Sequence, residues 1–336
     1  MPQSHPINVA VIGVGAFGRN HARVYYQLQK EGLARLVGVV DSDLARADAV
    51  AREFGCRSFG SVDQLLTTHS EVQASSVAVP TAHHLKTARA LMEAGLDVLI
   101  EKPLAVSLKE ADELVETCRA GNRVGQVGHL ERFNPAVRAT IPFITVPMFF
   151  EVHRLSVFTP RSLDVDVVLD LMIHDIDIVL SFVRSEVKEI HAVGLPILSG
   201  KVDIANVRME FESGCVANFT ASRVSTERVR KVRFFQPYQY ISLDYGRQDL
   251  MVFTVGDNET PGFPTVNPQI KMAKPPVSTE EPLAAELKSF LEAVRARSRP
   301  VVSLEDGRRA LGVALDVVRS IQEHGKNIHL EKLTTG

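Results

Sequence analysis

The sequence predicts two domains, an α/β domain with a doubly wound parallel sheet and then an α+β domain with a predominantly antiparallel sheet. Three observations predict this order. A glycine motif stands between an apolar run and a helical pattern near residue 13. Strand and helix patterns alternate through the first third of the chain, as they do in parallel sheets. After Pro135 several strand patterns follow one another with short turns, which is typical of antiparallel pairing.

The composition is that of an ordinary soluble protein. The 336 residues are 45% hydrophobic and 23% charged, with a formal net charge of −2, which does not suit a nucleic-acid-binding face. No run approaches 18 apolar residues, and the polar N-terminus lacks the apolar region of a signal peptide. The three cysteines are far apart, without metal-binding spacing. We therefore expect a cytoplasmic protein without nucleic-acid or membrane partners.

The first predicted strand, residues 9–12, runs into the glycine motif. Gly13 permits a tight turn, Gly15 lets the backbone approach a pyrophosphate, and Gly18 lets the helix pack closely on the strand. The N–H groups at the start of that helix face an anion. A second apolar run ends in Asp41, where a carboxylate accepts hydrogen bonds from ribose hydroxyls. A dinucleotide site is therefore predicted at Gly13, Gly15, Ala16, Phe17, Gly18 and Asp41; the alternative is a glycine-rich turn of another α/β protein.

The end of the second strand also predicts the type of nicotinamide cofactor. Asp41 would repel the 2′-phosphate of NADP, and Ser42 and Asp43 follow it instead of an arginine. We therefore expect NAD.

Polar residues follow several predicted strands of the first domain at their carboxyl ends. Parallel strands end at one edge of the sheet, where ligands bind. The topology therefore predicts that these residues converge on one crevice. They are Asp41, Pro80-Thr81, Glu101-Lys102 and Gly128-His129.

The change from alternating strands and helices to successive strands sets the predicted domain boundary. Residues 1–128 form the first predicted domain and residues 129–336 the second. An apolar helix is predicted over 167–183. The predicted strands of the second domain are 148–157, 187–195, 205–211, 215–222, 231–235, 240–245 and 250–255. Residues 256–277 contain five prolines and predict an irregular loop. Two helices, over 280–297 and 304–324, are predicted to follow.

Lys102 lies in the segment Glu101-Lys102-Pro103, at a strand end. A lysine that faces a cofactor crevice can donate a hydrogen bond to a substrate hydroxyl, and its charge favours the alkoxide that forms as hydride leaves. The neighbouring proline restricts the local backbone. A surface loop is the alternative interpretation of this tripeptide.

Asp170 and His174 stand four residues apart in a strongly apolar segment, and Asp177 follows. This spacing puts the side chains on one face of a helix. Polar groups on such a helix are costly unless they are paired or functional, and histidine is well suited as a base near neutral pH. A hydrogen-bonded core pair is the alternative. A metal site of these three residues is less favoured, because no further ligand is evident.

Together these motifs resemble the Gfo/Idh/MocA oxidoreductases over nearly the whole chain. The segments GVGAFG, PTAHH, EKPLA and DxxxH, with Asp41 after the first, occur in that family's order and approximate spacing. The resemblance implies a Rossmann domain, a C-terminal sheet domain, and hydride transfer from a sugar or cyclitol hydroxyl to a nicotinamide. It implies His174 as general base, with Lys102 and Asp170 holding the hydroxyl.

The resemblance also implies cofactor contacts at the later strand ends of the first domain. Thr81 lies where the family contacts the cofactor, and His84 matches the histidine after the third strand. Many relatives have Thr-Pro-Asn where this chain has Val79-Pro80-Thr81, a departure from the family pattern. The predicted contacts are Pro80, Thr81, His84, Glu101 and Lys102.

Four further segments resemble a branch of that family whose members oxidise the C3 hydroxyl of UDP-N-acetylglucosamine to a ketone. An aminotransferase then makes a 2,3-diamino sugar for lipid A. The resemblance therefore implies a nucleotide-sugar substrate, whose diphosphate needs cationic or N–H donors. Arg132, Arg154 and Arg161 are the candidates, beside Arg223; solvated or structural ion-pair roles are the alternatives for each. The four segments are residues 128–135, 153–161, 164–177 and 215–225.

One face of the second sheet is expected to pack on another subunit. Apolar residues in 216–219 are assigned to the face that helices leave uncovered. Relatives are often dimers or tetramers through this surface, so we expect a homo-oligomer.

Two other functions stay open. In the first, the enzyme oxidises another nucleotide sugar, a free sugar or an inositol, and dependence on the diphosphate separates these substrates. In the second, the chain is a non-catalytic NAD(H)-binding sensor, because fold alone does not fix function. The presence of Lys102, Asp170 and His174 together argues against a sensor.

Overall fold

The structure is a computed structural model that describes residues 5–159, 165–256 and 270–327. The chain forms two compact units: Met1–Phe133 with Glu280–Leu311, and Asn134–Thr279 with Gly312–Gly336. The predicted boundary after residue 128 is close to the first division, but residues 280–311 group with the N-terminal unit. None of the helices in the described ranges is long and apolar enough to cross a membrane.

The first unit contains a six-stranded parallel sheet, as predicted. Its order is β3-β2-β1-β4-β5-β6, the order of doubly wound dinucleotide-binding sheets. The strands are β1 (Ile7–Ile12), β2 (Ala34–Val40), β3 (Arg57–Phe59), β4 (Ala74–Val77), β5 (Asp97–Glu101) and β6 (Gly125–Gly128). The helices are α1 (Ala16–Lys30), α2 (Leu44–Phe54), α3 (Val62–Thr68), α4 (His84–Glu93) and α5 (Leu108–Ala120).

The core of the first unit is built between the sheet and two helices distant in sequence. The apolar side of α1 buries Val24, Tyr25 and Leu28. Helix α8 (Pro282–Ala296) buries Leu287 and Phe290 in the same cluster. This packing explains why α8 belongs to the first unit although it follows the second sheet in sequence.

Short polar side chains cap the helices of the first unit. The side chains of Asp43, Ser61 and Ser107 accept hydrogen bonds from backbone N–H groups in the first turns of α2, α3 and α5. Such caps satisfy N–H groups that the helix itself leaves without partners. They fix where each helix starts after its loop.

The second unit contains an eight-stranded sheet of order β14-β13-β12-β11-β7-β10-β9-β8. The pairings are antiparallel except for β7 with β10, which is parallel. The prolines in 256–277 concealed β14 from the sequence analysis. The strands are β7 (Phe149–Val157), β8 (Val187–Leu195), β9 (Ile204–Phe211), β10 (Val216–Ser225), β11 (Val229–Gln236), β12 (Gln239–Asp244), β13 (Asp249–Val255) and β14 (Ile270–Ala273). The remaining helices are α6 (Pro135–Thr140), α7 (Ile173–Val183) and α9 (Leu304–Asn327), whose residues divide between the units after Leu311.

The predicted helix over 167–183 is interrupted by a wider turn. Residues Val168–Met172 form a π-helical turn, and α7 follows at once. Single π turns inside helices are rare and frequently lie at functional sites. The sequence shows no breaking residue here, so this feature was not predicted.

The two faces of the second sheet differ. One face is buried, and Phe234 on it contacts Phe182 of α7 with ring centroids 5.8 Å apart. Of residues 216–219, predicted for the open face, Ala217 and Phe219 are buried instead, because successive residues of a strand point to opposite faces. Val216 alternates onto the open face.

An aromatic row crosses the open face of the second sheet. Phe149, Phe235, Tyr240 and Phe253 occupy paired positions on four neighbouring strands. Consecutive ring centroids lie 5.8, 4.9 and 5.2 Å apart. Met272 continues the row on β14 and is 65% exposed. The row forms an apolar stripe across these neighbouring strands.

Candidate active site and cofactor site

The glycine turn has the geometry that the sequence predicts. Gly13 has φ +84°, a conformation that residues with a Cβ rarely adopt. A Cβ on Gly18 would lie 1.8 Å from the carbonyl oxygen of Gly13, so only glycine lets α1 start this close to β1. A Cβ on Gly15 would meet no atom within 4 Å, and Gly15 borders the adjacent cavity. The turn thus gives a ligand access to backbone.

A cavity of about 820 Å³ opens at the carboxyl ends of β1, β2 and β4. Such a volume suits a cofactor-sized ligand. Six predicted residues line it: Gly13, Gly15, Ala16, Phe17, Asp41 and Pro80. The other predicted cofactor residues, all within the described ranges, are absent from its lining; they are Gly18, Thr81, His84, Glu101 and Lys102.

Asp41 is held in a fixed orientation at the edge of this cavity. Its Oδ2 accepts from the N–H of Val14 at 3.0 Å and its Oδ1 from the N–H of Asp43 at 2.9 Å. The carboxylate is only 7% exposed. A carboxylate fixed by backbone donors is well placed to accept from ribose hydroxyls.

Arg46 is a cavity residue that the sequence analysis missed. Its Nη1 lies 3.4 and 3.3 Å from the two carboxylate oxygens of Asp41, and its Nη2 lies 3.1 Å from Asp43. The prediction of the cofactor rested on Asp41 and the two residues after it. One turn into α2 brings this later arginine back beside the carboxylate. The helical spacing from Asp43 was the signal that could have revealed it.

The start of α1 supplies the anion-binding element. Among the residues that the structure describes, no side chain caps this helix start; Gly15 is its N-cap, and the first turn holds no acidic residue. Free N–H groups and the helix dipole favour a pyrophosphate there. With Asp41 and the open Gly15 both lining the cavity, the residues present fit a dinucleotide.

His84 joins two of the predicted loops instead of lining the cavity. It is 1% exposed. Its Nε2 lies 2.9 Å from the carbonyl oxygen of Val79, and its Nδ1 lies 3.1 Å from that of Pro103. Burial lowers the pKa of His84, although the surrounding carbonyl oxygens oppose this change. The contacts tie the end of β4 to the loop after β5.

Glu101 orients the backbone at Lys102. One carboxylate oxygen lies 2.9 Å from Nε2 of His21, and the other accepts from the N–H of Lys102 at 3.3 Å. A Cβ on Gly128 would lie 2.7 Å from the Glu101 carboxylate. Strands β5 and β6 can therefore end side by side only because residue 128 has no side chain. The Lys102–Pro103 peptide bond is cis, and Lys102 is half-buried.

In the second unit, Asp170 lies in the π turn and His174 in the first turn of α7, both half-buried. A hydrogen-bonded loop anchors the preceding segment. Val202 donates to the carboxylate of Asp166 at 3.0 Å and accepts from the N–H of Val167 at 2.9 Å. The turn that carries Asp170 is thus held from outside the helix. Among the described residues, no three His, Cys, Asp or Glu side chains form a group that could hold a metal ion.

The predicted substrate arginines lie in different surroundings. Arg132 is half-buried in the 3-10 turn Leu130–Phe133 of the first unit. Arg154 is 3% exposed and forms a two-pronged ion pair with Asp175, at 2.7 and 2.9 Å. This pairing favours a structural ion-pair role for Arg154 over binding of the diphosphate. Arg161 lies outside the described residues.

Arg223, the further arginine considered for the diphosphate, is buried at 5% exposure. It donates to the backbone carbonyls of Val165 and Val202. It also lies 3.7 Å from the carboxylate of Asp203. These contacts make Arg223 part of the anchor that precedes the π turn.

Comparisons with known proteins agree with this architecture. The family model for the oxidoreductase family with an NAD-binding Rossmann fold, GFO_IDH_MocA, matches residues 7–129, and its C-terminal domain model matches residues 143–235. The chain is 38% identical to UDP-N-acetylglucosamine 3-dehydrogenase of Acidithiobacillus ferrooxidans, over 93% of this chain and 96% of that protein. It is 26% identical to scyllo-inositol 2-dehydrogenase (NAD(+)) of Bacillus subtilis, over 97% of each.

Solved structures of other dehydrogenases have the same overall fold. The crystal form P21 of the Acidithiobacillus ferrooxidans enzyme superposes with a TM-score of 0.86 at 35% identity, covering 95% of this chain and 99% of that one. Levoglucosan dehydrogenase in complex with NADH superposes with a TM-score of 0.84 at 19% identity, covering 95% and 98%, a likeness of fold alone. The first unit is accordingly an NAD-binding domain, and the chain belongs to the GFO/IDH/MocA family of oxidoreductases.

Proposed function

We propose that the protein is an NAD-dependent dehydrogenase that oxidises the C3 hydroxyl of UDP-N-acetylglucosamine to the 3-keto sugar. The product would serve the synthesis of a 2,3-diamino sugar of lipid A, in the cytoplasm. Residues 1–128 bind NAD in this proposal, and residues 129–336 bind the sugar nucleotide and form the oligomer contact.

The observation that carries the proposal is the 38% identity to a UDP-N-acetylglucosamine 3-dehydrogenase along nearly the full length of both chains. The motif residues support it, because Lys102, Asp170 and His174 are present together. The cavity with Asp41 and Gly15 supports the cofactor part. A non-catalytic sensor has no need of all three motif side chains.

Each motif residue has a chemical role in this proposal. NAD, when bound, accepts the hydride that leaves the sugar carbon. His174 takes the hydroxyl proton as general base. Lys102 donates a hydrogen bond to the same oxygen, and its positive charge stabilises the alkoxide character that develops there. Asp170 helps to hold the hydroxyl. The products are the 3-keto sugar, NADH and one proton.

The diphosphate of the substrate requires hydrogen-bond donors. The surroundings of the predicted arginines indicate which of them is best placed to supply these donors. Arg132 is half-buried, whereas Arg154 has its guanidinium engaged by Asp175. We therefore assign diphosphate binding first to Arg132. Arg161 keeps its proposed role as a second donor.

We also propose a homo-oligomer through the open face of the second sheet. The aromatic row from Phe149 to Phe253 provides an apolar stripe on that face. Stripes of this kind on a sheet are typical of a contact with another chain. Light scattering of the purified protein, with Tyr240→Lys as the variant, tests it: the variant should have a lower mass.

The enzymatic proposal is tested by NADH absorbance with purified protein, NAD and UDP-N-acetylglucosamine. A coupled aminotransferase with glutamate draws the ketone away, because oxidation alone is uphill. NADH formation that requires both NAD and the sugar nucleotide is the expected result.

The same assay discriminates the alternatives. Turnover of free sugars or inositols without a nucleotide would retain the fold and the motif roles but overturn the nucleotide-sugar substrate. The similarity to an inositol dehydrogenase makes that comparison informative. NAD binding without turnover of any polyol would overturn the enzymatic proposal in favour of a sensor.

A further inference from the structure

Glu286 is a carboxyl group in the core of the first unit that the proposed chemistry does not use. It lies on α8, and its side chain is fully buried. Within the described ranges neither carboxyl oxygen has a hydrogen-bond partner. The amide of Gln126 donates to its backbone carbonyl at 3.3 Å, which places this part of α8 against β6. A buried acid of this kind needs an explanation.

Several ionisable groups surround α8. Strand β5 contributes Glu101, and α1 contributes His21 and Tyr25, whose hydroxyl lies 2.9 Å from the hydroxyl of Ser76. The 3-10 turn Leu130–Phe133 also packs on α8 and carries Glu131 and Arg132. Of these groups, Glu101 acts most directly on Glu286, because two carboxylates in one core repel each other.

The charge state of Glu286 follows from this environment. Burial raises the pKa of Glu286 well above its ordinary range, and the Glu101 carboxylate raises it further. Glu101 itself has a close partner, since His21 lies 2.9 Å from one of its oxygens. Among the described residues, the geometry therefore provides a hydrogen-bonding partner for the Glu101 carboxylate and none for the Glu286 carboxyl group. Glu286 is the group that stays neutral.

We propose that Glu286 is a positioning residue for Lys102 that acts as a neutral carboxylic acid. Because Glu286 keeps its proton, it does not repel the Glu101 carboxylate. That carboxylate stays paired with His21 and against the backbone N–H of Lys102. The inference rests on the proposed role of Lys102 in hydride transfer.

The contacts of Glu101 carry the coupling. One oxygen lies against His21, the other accepts from Lys102 N–H, and the carboxylate is packed on Gly128. Loss of the Glu286 proton would add a second negative charge beside this arrangement. Repulsion would displace Glu101, and the hydrogen bond to residue 102 would lengthen. Lys102 would then lose its position.

The test uses Glu286→Gln, which keeps the shape of the side chain and cannot ionise. Glu292→Gln is the matched control, because residue 292 is an exposed glutamate on the same helix. Glu286→Met, a neutral side chain of similar length, replaces the glutamine variant if that variant fails to fold.

The first measurement is the infrared difference spectrum between wild type and Glu286→Gln at neutral pH. A carbonyl band of a protonated carboxyl group should be present in the wild type and absent in the variant. The control should retain this band. A wild type without the band would show an ionised Glu286 and overturn the proposal.

The second measurement is the midpoint of thermal unfolding against pH. A group whose pKa is higher in the folded state stabilises the fold below its unfolded pKa, and this contribution is lost as pH rises through the folded pKa. Glu286→Gln should therefore unfold at a higher temperature than wild type, by a margin that grows from about pH 4 upward. The margin should be flat with pH for Glu292→Gln. A flat margin for Glu286→Gln would overturn the neutral acid.

The third measurement is kcat against pH, which tests positioning. Glu286→Gln should match wild type near neutral pH within about twofold and exceed it by about threefold or more at the higher pH at which wild type loses the proton. An identical fall of kcat with rising pH in both proteins would overturn the positioning role. If the wild type turns over no substrate, the proposed function fails by itself, while the spectrum and the unfolding data still decide whether Glu286 is neutral.

Discussion

Asp41 of the first unit and Arg154 of the second, both predicted to bind a ligand, lie in opposite surroundings. In the first, Asp41 borders a cavity of about 820 Å³ and is oriented by two backbone N–H groups. In the second, Arg154 is closed inside the fold by Asp175. The first arrangement leaves a charged group available to a ligand, and the second consumes it in an internal pair. A charged residue in a motif therefore indicates binding only when the surrounding residues leave its charged group accessible to a ligand.

The difference has a physical cause. The glycine turn acts through its backbone, so the requirement for Gly13 and Gly18 is local and visible in the sequence. The burial and pairing of Arg154 depend on α7, which brings Asp175, 21 residues later in the chain, into contact with it. Long-range packing of this kind has no local signal.

The largest expected effect concerns the motif residues Lys102 and His174. Lys102→Ala and His174→Ala should each lower kcat by about 10²–10⁴-fold, because removal of a positioned acid, base or charge costs that much rate. NAD affinity should change little, since neither residue lines the cofactor cavity. Steady-state kinetics and NADH fluorescence titration provide the two readouts. If either variant retained most of the wild-type turnover, the role assigned to that residue would be refuted.

The second prediction compares two arginines. Arg154→Ala should destabilise the fold by about 3–5 kcal/mol, because it leaves the buried Asp175 without its partner. The pair replacement Arg154→Met with Asp175→Leu should recover much of this loss. Denaturant unfolding measures both.

Arg132→Ala is the contrasting variant. It should raise KM for the sugar nucleotide, since its assigned partner is the diphosphate. A stable Arg154→Ala with a raised KM would reverse the comparison and return Arg154 to the substrate site.

The fold was predictable from the sequence to a greater extent than the site. The parallel and antiparallel sheets and most strands follow from hydrophobic period. The π turn at Asp170 was not predicted, because the sequence has no breaking residue there. The strand β14 was not predicted, because it is short and lies in a proline-rich segment. Glu286 was missed because its importance comes from neighbours that only the fold supplies, whereas Arg46 had a local signal in its helical spacing from Asp43.

The third prediction concerns cofactor choice at the open end of the first unit. Asp41→Ser should raise the ratio of NADP to NAD use by about tenfold or more, which corresponds to about 1.4 kcal/mol. The variant removes the charge that repels a 2′-phosphate and releases Arg46, which lies 3.3 Å from that carboxylate. The double variant with Arg46→Ala is the control, because it should lose most of the gain. Unchanged NADP kinetics in Asp41→Ser would show that other groups choose the cofactor.

The smallest expected effect concerns Asp203, the second unit's closed counterpart to Asp41. Burial acts to raise the pKa of Asp203, but the Ser199 hydroxyl and the N–H groups of Ser199, Leu198 and Ile197 lower it to about 2. A carboxyl group with a lowered pKa stabilises the fold above its unfolded pKa, and this stability is lost as pH falls through the folded value.

We therefore expect the thermal midpoint of wild type to fall between about pH 4 and pH 2 more steeply than that of Asp203→Asn. The variant should also be less stable at neutral pH, since an amide presents a single acceptor oxygen to the donors that the carboxylate holds. Asp316→Asn, which changes an exposed aspartate of the same unit, should follow wild type. If Asp203→Asn and Asp316→Asn have the same acid profile, the loop from 197 to 203 is held by its packing and not by this charge.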